Sequence, residues 1–96
     1  MKPGYIYILS NKTRTTFSTG VTSDLRARLY QHRFDHGSVF TSRYRCLDLV
    51  FYEFFEDIED AIAREKQLKR WHRQWKINLI LQMNPLMLDL SDDEFD

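Results

Sequence analysis

Residues 15–32, TTFSTGVTSDLRARLYQH, decide the fold, because a short strand, a glycine turn and an amphipathic helix follow one another there. The pattern predicts the strand at Thr16–Gly20 and places Asp24 in the first turn of the helix, where a negative charge suits the helix dipole. Arg28 and His32 are four residues apart and therefore project from one helix face. Each is more often an ordinary surface side chain, but together they indicate a face that presents chemistry.

The neighbouring segments complete an element order of β-β-α-β-α-α. YIYIL at Tyr5–Leu9 is rich in β-formers and predicts a preceding strand that forms a hairpin with Thr16–Gly20. LDLVFYEFF at Leu47–Phe55 is apolar on both faces, which indicates a central strand covered on both sides. A helix is predicted from a cap at Asp57 to about Arg70, and a last helix stops at Asn84 before a proline.

Length and composition indicate one globular domain. The chain has 96 residues, of which 43% are hydrophobic and 15% aromatic, enough for a single core. We expect the domain to occupy residues 1–90 and the acidic segment 91–96 to be disordered. No apolar run approaches the roughly 18 residues that span a bilayer, so no membrane association is expected. The single cysteine, Cys46, fits a cytoplasmic protein and argues against a cysteine-based zinc site.

The net charge of zero hides an uneven distribution. Residues 1–46 contain eight Lys or Arg and two acids, whereas residues 47–96 contain six basic and twelve acidic groups. Within the second half, residues 64–76 hold six basic residues and one acid. Such clustering suggests a polyanionic partner, although solvated helix faces would give the same pattern. The nucleic-acid-binding candidates are Arg43, Arg45, Lys66, Lys69 and Arg70.

Glu65 interrupts the apolar stripe of its helix, three residues after Ile62 and three before Leu68. An inward carboxylate costs several kcal/mol unless it is paired or binds a metal. The simpler alternative is that Glu65 lies at the edge of the stripe and pairs with Lys69 one turn later. Trp71 and Trp75 follow, and we interpret them as core residues, the alternative being a protein-interaction face.

In combination these residues resemble the GIY-YIG nuclease family, in its short single-domain bacterial branch. Tyr5, Ile6 and Tyr7 match the first half-motif without its leading glycine. After a ten-residue gap, Ser18, Thr19 and Gly20 match the second half-motif, with serine in place of its tyrosine. TSDLRARLYQH resembles the family helix and carries the essential arginine onto Arg28 and a frequent histidine onto His32. EDIEDAIAREKQLKRW resembles the later helix, whose metal-binding glutamate falls on Glu65.

The resemblance implies an α+β fold, a small antiparallel three-stranded sheet flanked by helices, and an enzyme. The implied activity is Mg²⁺-dependent (or Mn²⁺-dependent) endonuclease cleavage of DNA, selective for single-stranded or branched structures and serving DNA repair or processing. Glu65 would hold the ion, Arg28 would bind the phosphate, and Tyr7 or His32 would take the proton of the attacking water. The resemblance covers nearly all of residues 4–91.

Ser18 leaves three outcomes open. Water fills the space of the missing ring and the enzyme is slower by about 10² to 10⁴, the typical value of one general base. Alternatively, Tyr5 on the neighbouring strand replaces the missing phenol. In the third outcome the site is inactive, and the chain is a nucleic-acid-binding module.

Overall fold

The computed structural model describes residues 1–35 and 45–91. The strands are β1 Gly4–Ser10, β2 Phe17–Thr22 and β3 Asp48–Phe55. The helices are α1 Leu25–Tyr30, which continues into a π-helical turn at Gln31–Asp35, α2 Ile58–Lys69 and α3 Arg73–Met83. The α+β class and the order β-β-α-β-α-α are those predicted from the sequence.

The sheet is antiparallel with strand order β2-β1-β3, so β1 is the central strand. The prediction that the third strand is central was wrong. Helices cover both faces of the sheet, so even its edge strand is apolar at successive positions. Ile6 and Ile8 pack with α2 and α3 on one face, whereas Tyr7 and Leu9 pack with Leu25 of α1 on the other.

Gly20 lies inside β2, and the predicted glycine turn after the strand was therefore wrong. The strand continues to Thr22, and Gly20 pairs with Tyr7 of β1. A Cβ at position 20 would stand 2.5 Å from Cζ of Tyr7, far inside van der Waals contact. The glycine is required by the close approach of an aromatic ring and not by the direction of the backbone.

Two aspartates cap helices, each through a hydrogen bond from a backbone N–H to its carboxylate. Asp24 is the N-cap of α1 and accepts a hydrogen bond from the Ala27 backbone N–H, so it precedes the first turn in which it was predicted. Asp57 caps α2 as predicted, accepting from the Glu59 N–H. Each carboxylate satisfies an N–H group that has no partner within its helix. The cap at Asp24 fixes where α1 begins and hence which face carries Arg28.

The segment after α3 folds back onto β3. Buried Asn84 donates to the carbonyls of Val50 and Leu88 and accepts from the Leu88 N–H. The Leu90 N–H donates to the Leu49 carbonyl. Ser91, expected in a disordered tail, is instead buried and hydrogen-bonded to Asp89. Residues 92–96 lie outside the described residues.

Trp71 and Trp75 were predicted to be core residues, and only part of that prediction holds. Trp71 is half-buried and packs against the core between the sheet, α2 and α3. Trp75 leaves 53% of its surface exposed. No helix within the described residues has the length and apolar character needed to cross a membrane.

Candidate active site

Tyr7 is placed by the register of the central strand. Its side chain points to the α1 face of the sheet and is 3% exposed. Because position 20 on β2 carries no side chain, the ring lies directly over that strand. The phenol oxygen is thereby carried from β1 toward the β2 side of the sheet.

His32 meets that oxygen from the π-helical turn after α1. Its Nε2 lies 3.1 Å from the Tyr7 hydroxyl, and the two rings are in edge-to-face contact with centroids 5.9 Å apart. The imidazole is 4% exposed. Two polar groups separated by 25 residues in sequence thus form one buried hydrogen-bonded pair.

Arg28 stands one helical turn before His32 and is half-buried. Its guanidinium is close enough to the Tyr7 hydroxyl to act on it through charge and hydrogen bonding. Within residues 1–35 and 45–91 no carboxylate pairs with Arg28, whereas Arg14, Arg33 and Arg64 each have an acidic partner. This arginine keeps its charge available for an anion.

Glu65 on α2 lies near enough to Tyr7 for its negative charge to raise the pKa of the phenol. Its side chain is 15% exposed, and Oε2 lies 3.1 Å from Nζ of Lys69 one turn later. The predicted pairing with Lys69 is therefore confirmed, and metal binding by Glu65 stays a prediction. Oε1 has no partner among the described residues, and a single hard oxygen donor of this kind suits a divalent ion that keeps most of its water ligands. No group of three or more potential metal-binding side chains occurs in the described chain.

The electrostatics favour the neutral forms of both members of the pair. Burial raises the pKa of Tyr7, Arg28 opposes the rise, and Glu65 adds to it. Burial lowers the pKa of His32, and the charge of Arg28 lowers it further. At neutral pH a neutral imidazole therefore faces a neutral phenol, the arrangement in which Nε2 can accept the phenol proton.

The structure also shows where Ser18 and Tyr5 lie relative to Tyr7. Ser18 pairs with Leu9, so it shares the face of Tyr7 and lies two pairs away from Gly20. It is half-buried, and its side-chain hydroxyl has no hydrogen bond among the described residues. The ring of Tyr5 contacts Phe54 of β3 at 5.2 Å, on the side of β1 away from β2. Tyr5 does not occupy the space of a ring at position 18.

The remaining predicted residues divide by environment. Ile6 is fully buried in the core, and Thr19 is half-buried on the same sheet face. The exposed residues among the predicted nucleic-acid-binding set are Arg45, Lys66, Lys69 and Arg70. Arg43 lies outside the described residues.

Sequence reasoning missed the contacts that hold the turn carrying His32. Arg33, next to His32, donates through Nη2 to Asp89 at 2.8 Å and also bonds Ser91. The Asp89 carboxylate further accepts from the backbone N–H groups of Leu49 and Ser91. We call these contacts the Arg33–Asp89 clasp. No periodicity links position 33 to position 89, and an acid near the chain end gave no local signal.

Comparisons with known proteins show the family to which the chain belongs. The family model described as the GIY-YIG catalytic domain matches residues 3–78. A UPF0213 protein of Staphylococcus saprophyticus is 34% identical over 80 residues, covering 83% of this chain and 96% of its own. A UPF0213 protein of Clostridium perfringens is 36% identical over 76 residues, 79% of this chain and 81% of its own.

The solution NMR structure of a UPF0213 protein from Bacillus halodurans has the same fold, with a TM-score of 0.59 and 24% identity, covering 98% of this chain and 99% of that one. The family match covers most of the chain and includes the segments that carry Tyr7, Gly20, Arg28, His32 and Glu65. The chain therefore belongs to the GIY-YIG nuclease family and is related within it to the small UPF0213 proteins.

Proposed function

We propose that this protein is an endonuclease that hydrolyses phosphodiester bonds in DNA with the help of Mg²⁺ or Mn²⁺. The observation that carries the proposal is the buried Tyr7–His32 hydrogen bond, with Arg28 and Glu65 acting on the same phenol. Single-stranded or branched DNA is the proposed substrate, in repair or processing within the cytoplasm.

The proton acceptor in this proposal is the Tyr7–His32 pair. As water attacks phosphorus, its proton passes to the Tyr7 oxygen while the phenol proton passes to Nε2 of His32. One P–O bond forms, the bond to the leaving oxygen breaks, and His32 ends the step as an imidazolium. A neutral imidazole is needed at the start, and burial beside Arg28 provides it.

In this proposal Arg28 and Glu65 stabilise the negative charge of the phosphate and of the leaving oxygen. The guanidinium provides a planar fork that binds two phosphate oxygens, and it has no competing carboxylate among the described residues. Glu65 would hold the divalent ion through the oxygen that Lys69 leaves unpaired. When bound, such an ion stabilises charge on the phosphate and on the leaving oxygen.

Ser18 supports a second candidate, a nucleic-acid-binding module without hydrolytic activity. A hydroxyl without a hydrogen-bonded base beside it is a poor proton acceptor. Retention of Tyr7, Arg28, His32 and Glu65 favours the enzyme, because binding DNA does not require a mostly buried carboxylate. We therefore propose an active nuclease with a reduced rate.

The decisive test is Glu65→Gln, assayed on branched and single-stranded DNA with Mg²⁺ or Mn²⁺ and again with a chelator. We expect cleavage to fall by about 10² or more, since a metal-stabilised charge is worth several kcal/mol. DNA affinity should stay equal or rise, because a negative charge is removed from an anion-binding surface.

Glu56→Gln is the matched control, because Glu56 is an exposed carboxylate just before α2. It should cleave like the unaltered protein. Unchanged cleavage by Glu65→Gln would remove Glu65 from the site. A protein that binds DNA but cleaves none of it under these conditions would support the binding module.

A further inference from the structure

A concave surface outside the candidate active site lies on the flank of α2, where α2 and its connection to α3 meet α3. This aromatic groove has a volume of about 340 Å³ and is lined by Arg64, Trp71, Trp75, Asn78, Leu79 and Gln82. The last four are spaced three, one and three residues apart and share one face of α3. Exposed and half-buried side chains make up this face, so the core does not use all of it.

The groove and the candidate active site lie on different flanks of α2. Arg64 and Glu65 are successive residues, so their side chains leave the helix about 100° apart. Glu65 acts on Tyr7, whereas Arg64 donates through Nε to Glu53 of β3 at 3.3 Å. An α-helix with its side chains is about 10 to 12 Å across. One nucleic-acid strand is long enough to contact both.

The aromatic groups of the groove have available ring surface. Trp71 and Trp75 pack edge to face with centroids 6.0 Å apart, and His72 contacts Trp75 in the same way at 5.0 Å. Each edge-to-face contact covers the edge of one ring and one face of the other, so it does not cover all the ring faces. Trp75 keeps 53% of its surface exposed.

The polar groups around the rings suit a nucleotide. The Arg64 guanidinium stands 5.2 Å from the centroid of the Trp71 ring, and its contact with Glu53 holds it there. The Gln82 amide has no hydrogen bond among the described residues, and Asn78 accepts one from Gln74 while its own NH₂ group has no acceptor there. Amides at the edge of a stacking surface can pair with the edges of unpaired bases.

The positive charge around the groove favours a polyanion, and not a protein, as its binding partner. Residues 64–76, which include Arg64, Trp71 and Trp75 of the groove, carry six basic groups and one acid. Lys66 and Arg70 are exposed in this segment. A basic surface with interleaved aromatic rings is the usual combination for binding single strands.

We propose that the aromatic groove binds an unpaired base of the DNA strand whose backbone enters the candidate active site. This inference deepens the proposed nuclease function and rests on it for the identity of the strand. The groove makes an unpaired segment beside the cleavage position a requirement for tight binding. It thereby gives a fully paired duplex a lower affinity.

Tryptophan fluorescence tests the groove directly, because Trp71 and Trp75 are the two tryptophans of the chain. We expect a short oligothymidylate, added with a chelator present, to quench the emission saturably. A blunt duplex of the same length should quench much less. Because no metal is present, the result does not depend on whether the protein cleaves DNA.

Two variants at one position separate stacking from apolar contact. Trp75→Leu keeps apolar bulk and helix propensity but removes the ring, and it should weaken oligothymidylate binding about 5- to 100-fold by anisotropy. Trp75→Phe keeps a ring and should retain most of the affinity. Both should leave duplex affinity unchanged, and circular dichroism checks that each is folded.

Equal affinity of Trp75→Leu and the unaltered protein for oligothymidylate would overturn the proposal, as would binding without quenching. The first result would indicate that the groove is a protein-interaction surface. Quenching without cleavage under any metal condition would leave the groove in place and remove the nuclease. Cleavage without quenching would do the reverse.

Discussion

At the residue scale, the candidate site depends on one missing side chain. The Tyr7 ring lies over β2 because Gly20 has no Cβ there, and the hydroxyl reaches His32 as a result. Any larger residue at position 20 would push the phenol away from Nε2. Gly20 of the second half-motif thus leaves the space that the ring of Tyr7, in the first half-motif, occupies.

The protonation state of His32 sets the expected pH dependence. Its pKa is lowered from 6.5 by burial and by Arg28, so the imidazole is neutral at pH 7. As pH falls through the lowered pKa, the imidazole gains a proton and can no longer accept one from Tyr7. We expect cleavage to be constant near pH 7 and to decline only below pH 6.5.

The measurement is a pH–rate profile under single-turnover conditions, with His32→Ala for comparison. The variant should be slower by about 10² to 10⁴ and should lack the acidic decline. An identical decline in both proteins would show that another group titrates. Tyr7 should add no alkaline decline below pH 10, since its pKa is raised from 10.0.

Ser18→Tyr tests the departure from the family motif. The new ring would extend from the same sheet face as Tyr7, from a half-buried position on edge strand β2. We expect the cleavage rate to rise about tenfold or more, the lower part of the range for a positioned proton acceptor.

Ser18→Phe is the control, since it has the ring but no hydroxyl and should give no gain. If both variants lose about 1 to 3 kcal/mol of unfolding free energy and neither gains activity, the site has closed around the serine. Thermal denaturation measured beside the rates separates these results.

At the element scale, the segment after α3 holds the π-helical turn that carries His32. The Arg33–Asp89 clasp joins that turn to residues 89–91, and Asn84 and Leu90 join the same segment to β3. Burial alone would raise the pKa of Asp89, but hydrogen bonds from Ser91 and Leu49 and the charge of Arg33 lower it below 3.8. The ionised form is therefore the one that the fold stabilises.

Asp89→Asn should lower the free energy of unfolding by about 1 to 3 kcal/mol at pH 7, the range for hydrogen bonds to a charged group. Because the folded pKa of Asp89 lies below its unfolded value, this contribution is present above about pH 4 and is lost as pH falls through the folded pKa. Denaturant titrations should thus show the variant and the unaltered protein converging at low pH.

Cleavage measured at a temperature where both proteins are folded should also fall, since the turn that positions His32 loses its anchor. Glu56→Gln, which removes an exposed charge, should change the free energy of unfolding by no more than about 0.5 kcal/mol. It should leave the cleavage rate unchanged. A stability difference that persists below pH 3 would mean that the clasp acts through packing and not through charge.

At the scale of the whole molecule, a neutral protein is expected to bind a polyanion through uneven charge. Basic groups collect in residues 1–46 and 64–76, and five acids lie from Asp89 onward. Exposed Lys66 and Arg70 are on the helix that carries Glu65 or at its end. Phosphates bound there would release counterions, so affinity should depend on salt.

The double variant Lys66→Glu and Arg70→Glu tests this expectation. The slope of log affinity against log salt should decrease in magnitude by about 2, since each phosphate contact contributes about 0.9. Lys2→Glu makes the same charge change per site at an exposed residue outside both segments and should leave the slope unchanged. Affinity independent of salt in the unaltered protein would exclude a phosphate-binding surface.

The sequence by itself determined the class of the fold, the element order and the candidate catalytic residues. Periodicity and capping signals are local, so Asp57 and the boundaries of α2 followed from neighbouring residues. The family motif pointed to Tyr7, Arg28, His32 and Glu65 without any distance between them.

Tertiary structure decided the facts that depend on contacts distant in sequence. Strand order set β1 at the centre, a ring approaching from β1 explained Gly20, and α3 packing left Trp75 exposed. The Arg33–Asp89 clasp joins residues 56 positions apart. Local pattern cannot reveal such pairs, because their energy comes from groups that only the folded chain brings together.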